Sequence, residues 1–162
     1  MPPMALKRFG NRPPLNANLF DLETMPNTNH TVALTELIKA SQSLAIAQEL
    51  LLNAINHEPK NIELHKALRD SCIQRFEFCI ELAWKISIKI LGLNTKSPSI
   101  AIRDMSQNNL IESPELWFEF LLARNKTSHT YNEDVAKQVY SETVKLVPEL
   151  RLLIAKLEKI NS

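Results

Sequence analysis

The chain has 162 residues, 44% of them hydrophobic, with only two glycines and 19 basic against 18 acidic residues for a formal net charge of +1. That length and apolar share fit one globular domain with a real core, and the scarcity of glycine argues against hairpin-rich folds and phosphate loops, which need positive φ, and for helices. The balanced charge excludes a general polyanion binder that draws affinity from many phosphate contacts, so any nucleic-acid contact is local.

Residues 1–30 hold Pro2, Pro3, Pro13, Pro14 and Pro26 among several asparagines, a composition that removes helix donors and favours turns. They read as an irregular arm whose apolar cluster is Leu19, Phe20 and Leu22, serving either as a tail lightly tacked to the body or as a partner-binding arm. Residues 31–162 read as one helical body. From Thr31, Leu34, Leu37, Leu44, Leu51 and Ile55 recur at helical spacing until Glu58-Pro59.

Asn61 can cap a second, long helix whose stripe runs through Leu68, Cys72, Phe76, Ile80 and Trp84 and stops at Gly92. Cys72 and Cys79 stand ~10 Å apart on one face of it, too far to bond, and read as core thiols in a reducing compartment. Ser97-Pro98 and Ser113-Pro114 each set a capping hydroxyl before a proline at the first helical position, which predicts a short helix over 98–107 and another leading into Arg124. Asn132-Glu133-Asp134 opens the last helix, which Pro148 should interrupt and kink before the helix resumes. Short connections between long amphipathic helices predict an all-α fold, an antiparallel up-and-down four-helix bundle with one short extra helix.

No segment has the pattern of a signal peptide and none approaches the ~20 apolar residues that span a bilayer, so the expectation is a cytoplasmic protein without membrane contact. His30, His57 and His65 lack ligand spacing with carboxylates or thiols; neither a metal site nor a cofactor is expected. Trp84 and Trp117 fall on apolar stripes and read as packing residues.

The chemistry concentrates in Arg124-Asn125-Lys126-Thr127-Ser128-His129-Thr130-Tyr131. Arginine is a permanent cation that grips two phosphate oxygens, and histidine is a residue type that exchanges protons near neutrality, so the pair can cut a phosphodiester without metal. Arg-x4-His alone arises by chance in about one chain in six of this composition, whereas the added tyrosine lowers that to about one in five hundred. RNA is the expected substrate: His129 as general base on a ribose 2'-hydroxyl, Arg124 on the phosphate, Asn125 and Ser128 adding hydrogen bonds, Tyr131 stacking on a base.

On a straight helix Arg124 and His129 point about 140° apart, so either the helix ends before His129 or the pair converges with its twin across a dimer axis. The bland alternative has Arg124 paired to a carboxylate while His129 and Tyr131 merely close a turn. Glu77 and Glu81, four apart, call for a cation. Lys85, Arg75 and Arg103 are the candidates for a charge network that orients Arg124.

Three blocks, Arg75-Phe76-Glu77, Glu81-Leu82-Ala83-Trp84-Lys85 and Arg124-Asn125-x-Thr127-Ser128-His129-x-Tyr131, resemble in order and spacing the nucleotidyltransferase substrate-binding subunit family, a branch of the HEPN superfamily close to HepT toxins. The resemblance runs from about Thr31 to the C-terminus. It implies a helical homodimer working with a separately encoded minimal nucleotidyltransferase, and a metal-independent RNase toxin whose Arg124 and His129 line a cleft at the dimer interface. It further implies that the partner silences the toxin by adenylylating Tyr131. A non-catalytic substrate-binding subunit of the nucleotidyltransferase is the alternative.

Overall fold

The computed structural model describes residues 27–162, so the expected arm, with Leu19, Phe20 and Leu22, lies outside the described residues except for its last few positions. Those positions are helical. Helix α1 spans Thr28–His57, starting ahead of Thr31 because Asn27 supplies the cap, its side chain accepting from the Asn29 amide at 3.1 Å. Helix α2 spans Ile62–Ile90, and Asn61 caps it through the Leu64 amide at 3.2 Å. It stops on Gly92 at φ 68°, where the Leu93 amide donates to the Ile88 carbonyl at 3.0 Å and Gly92 to Lys89 at 3.1 Å. This bond pair closes a helix on a left-handed residue, a conformation glycine accepts without Cβ cost.

Helix α3 spans Pro98–Gln107 and α4 spans Pro114–Asn125. Ser113 caps α4 through the Leu116 amide at 3.4 Å, but Ser97 makes no side-chain cap. Proline at the first position leaves one amide fewer to satisfy, and the entry to α3 is held by Thr95 Oγ1 donating to Asp104 Oδ2 at 2.8 Å. Helix α3 ends like α2, with Asn109 at φ 59° in the glycine's place and the Leu110 amide donating to Met105 at 2.8 Å. Helix α5 spans Glu133–Asn161 and continues through Pro148. The carbonyl that proline leaves without its donor belongs to Val144, a half-exposed residue that water can serve.

Cross-links fix the directions. Gln48 donates to the Thr143 carbonyl at 2.7 Å and Asn161 to Thr31 at 3.2 Å, so α1 and α5 run antiparallel; Lys89 near the Asn29 carbonyl does the same for α1 and α2. With α4 as fourth member and α3 as the short extra helix, this is the up-and-down bundle, flattened so that α2 touches every other helix. Trp117, Phe76 and Phe120 form its aromatic centre. Phe120 meets Phe76 edge-on at 6.4 Å and Trp117 at 5.6 Å, which pins α4 to α2 directly beneath the Arg124 turn. Cys72 and Cys79 are buried free thiols, and desolvation pushes them up to about 11 and about 12. No helix among the described residues is long and apolar enough to cross a membrane.

Candidate functional site

The helical phase breaks between Arg124 and His129. Helix α4 stops at Asn125, a 3-10 turn follows over Thr127–His129, and Asn132 caps α5 through the Asp134 and Val135 amides at 3.0 and 3.2 Å. Two threonines lock the turn: Thr127 Oγ1 donates to the Arg124 carbonyl at 2.8 Å, and Thr130 Oγ1 to the Thr127 carbonyl at 3.1 Å. The His129 amide closes on Lys126 at 2.9 Å. Of the two arrangements left open by the sequence, the chain itself adopts the first: the helix ends before His129.

Arg124 points back to α2. Its Nη2 lies 2.6 Å from Glu81 Oε1, and Lys85 Nζ lies 3.0 Å from Glu81 Oε2, so one carboxylate sits between two cations. The 2.6 Å contact is an ion pair lacking hydrogen-bond alignment, and the buried Arg124 Nε has no partner among the described residues. Asn125 Oδ1 accepts from Arg124 Nη1 at 3.3 Å, placing Asn125 beside the guanidinium. The Arg124 side chain keeps 32% of its surface exposed, enough for an incoming oxyanion to touch it.

His129, Ser128 and Tyr131 lie on the outside of the turn. The imidazole and phenol meet edge-on with centroids 6.3 Å apart, and Tyr131 is 88% exposed. Among the described residues no side chain hydrogen-bonds the imidazole and so none of them fixes which nitrogen it presents. Trp84 and Trp117 are buried and offer no stacking surface.

The wider network is smaller than expected. Glu81 reaches Arg124 and Lys85 joins through Glu81; Arg75, Glu77 and Arg103 take no part. Arg75 sits about 120° around α2 from Glu81 and faces α1, where its Nε donates to Ser43 Oγ at 2.9 Å and its Nη1 to the Ser71 carbonyl at 3.2 Å and to Ser71 Oγ. Arg103 is exposed on α3, and Glu77 is partly buried one turn before Glu81; neither forms an ion pair among the described residues.

Sequence reasoning missed a second tether. Arg69 on α2 grips Glu133 at the start of α5 with both fork nitrogens, Nη1–Oε1 at 2.6 Å and Nη2–Oε2 at 3.1 Å. These hydrogen bonds hold the Glu133 carboxyl below its ordinary range and raise Arg69. Nothing local marks the pair, since 64 residues separate its members. The groove of about 290 Å³ between α4 and α5 includes Glu119, Lys126 and Glu142 on its walls but not Arg124, His129 or Tyr131. Its two carboxylates make it a poor phosphate seat.

The described residues form a helical bundle that gathers Arg124, Ser128, His129 and Tyr131 at one interhelix turn. The chain belongs to the family described as nucleotidyltransferase substrate binding protein like, whose model matches residues 28–159. Among solved structures it is similar to a Haemophilus influenzae protein described as revealing the fold of a substrate binding domain of a nucleotidyltransferase. That likeness has 24% identity and a TM-score of 0.70, and covers 77% of this chain and 98% of that one. A Thermus thermophilus protein is 28% identical with a TM-score of 0.58, over 73% of this chain and 98% of that one. No curated protein matches the chain.

Proposed function

We propose that this chain is the substrate-binding partner of a separately encoded nucleotidyltransferase, presenting the α4–α5 turn to the phosphates of a nucleotide or RNA. Support comes from the family match over residues 28–159. The observation that carries the reading is the arrangement at the turn: a partly exposed Arg124 backed by Glu81 and Asn125, followed five residues later by an exposed imidazole that no described side chain hydrogen-bonds. Such a site binds an oxyanion without holding an aimed general base. Titrating the chain into the nucleotidyltransferase encoded beside it should give a complex and change nucleotide transfer. A chain that neither binds that enzyme nor alters its transfer removes this reading.

The exposure of Tyr131 and His129 favours a second reading, a HEPN-type toxin that cleaves RNA in the cytoplasm without metal. In it a homodimer supplies across its axis the orientation that no described side chain gives the imidazole. His129 takes the 2'-hydroxyl proton as that oxygen attacks the adjacent phosphorus, Arg124 stabilises the charge gathering on the phosphate, and the 5'-oxygen leaves. Ser128 and Asn125 contact the substrate, and adenylylation of Tyr131 by the partner silences the site by setting a phosphate beside Arg124. Purified chain should then cleave RNA, His129→Ala should not, and co-expression should add about 329 Da at Tyr131. Cleavage that survives His129→Ala eliminates this mechanism.

A further inference from the structure

A second surface, centred on Arg75 about 120° around α2 from Glu81, carries chemistry that the α4–α5 turn does not use. The groove between α1 and α2, about 450 Å³, is lined by Glu36, Lys39, Ala40, Ser43, Arg75 and Phe78. It runs on into a depression of about 260 Å³ that shares Arg75 and adds Ile46 and Leu50. Phe78 in the first and Ile46 and Leu50 in the second are 58%, 57% and 52% exposed, large apolar side chains of the kind that mark a binding groove. Ser43 and Ser71 fix Arg75 at its centre. Arg75 meets no carboxylate among the described residues, and neither does Lys39 beside it. The groove therefore suits an occupant that alternates apolar and acidic side chains.

The chain contains such a segment. Leu19-Phe20-Asp21-Leu22-Glu23 sets carboxylates between large apolar residues, and it joins the body at Asn27, the cap of α1. From the start of α1 to Ser43 is ~22 Å at the helical rise, and the seven residues from Phe20 to Asn27 can extend ~24 Å. We propose that the Leu19–Glu23 segment of the chain's own arm docks in the α1–α2 groove, Phe20 and Leu22 against Phe78, Asp21 and Glu23 toward Arg75 and Lys39. Tethering favours it over a free partner, because a short linker holds the segment at a millimolar effective concentration. The arm lies outside residues 28–159, so the proposal stands apart from the family function.

The test is disulfide trapping in the full chain. Asn18→Cys is paired with Gln42→Cys, an exposed position in the groove, or with Leu152→Cys on α5 as control. Leu152 stands at a similar height above the end where α5 meets α1, and the native thiols are buried. Docking predicts an intramolecular bond at Gln42→Cys about tenfold faster than at Leu152→Cys, slowed to the control rate by Asp21→Lys with Glu23→Lys. Equal rates at the two positions, or indifference to the charge reversal, overturn the proposal. A bond that forms chiefly between chains overturns it too, in favour of a second copy as occupant.

Discussion

Two arginine–glutamate pairs tether the α4–α5 connection to α2, and their difference separates a closed tether from an open one. Arg69 and Glu81 stand twelve residues apart, ~18 Å along the helix. Arg69 is 12% exposed and spends both fork nitrogens on Glu133; Arg124 is 32% exposed, holds Glu81 at close range without alignment, and shares that carboxylate with Lys85. The first pair is a closed fork whose remaining Nε is buried out of reach of solvent. The second leaves a cation that a phosphate can engage at small cost to what already holds it. Residue type is the same in both, so geometry alone assigns the roles.

The largest blow to the comparison should come from beneath it. Phe120→Ala removes the ring that joins α4 to Phe76 and Trp117, and denaturant unfolding should lose about 3–5 kcal/mol; a loss under about 1 kcal/mol would show that this cluster does not fix the turn. Arg124→Ala should reverse the balance, with phosphate-dependent activity falling about a hundredfold while stability changes by no more than about 1 kcal/mol. Binding or activity assays run beside a melt separate the two. Asn132→Ala strips the cap from α5 and should lower stability by about 1 kcal/mol, read from the same melts.

The smallest effect tests the strut itself. Glu133 is held below its ordinary value by the Arg69 hydrogen bonds, so its contribution is present above the usual glutamate range near 4.5 and is lost as pH falls through the lower folded value. Arg69→Met should therefore melt below wild type at neutral pH, and the two curves should converge in acid. A gap that persists unchanged below that range would mean that Arg69 acts through packing of its stem, not through the carboxylate.

Much of the scaffold was legible because it is written locally. Asn61, Ser113, Asn132 and Gly92 act within four residues of themselves, and the apolar stripes of α1, α2 and α5 place Leu37, Phe76 and Leu150 in the core as their period demands. Local signals failed where two solutions satisfy the same need. Ser97 leaves its hydroxyl out of the cap, and Thr95 on Asp104 holds the entry to α3 instead.

By itself the sequence determined that this chain is helical, where most of its helices begin and end, and that its reactive side chains gather around residues 124–131. Those follow from backbone donors, proline, glycine and the 3.6-residue period, all short-range. Only the tertiary structure decided that Arg124 meets Glu81, that Arg75 turns away to Ser43 and Ser71, and that Arg69 closes on Glu133. A charge can pair with any opposite charge within reach, and reach across 43 or 64 residues is set by how the helices pack.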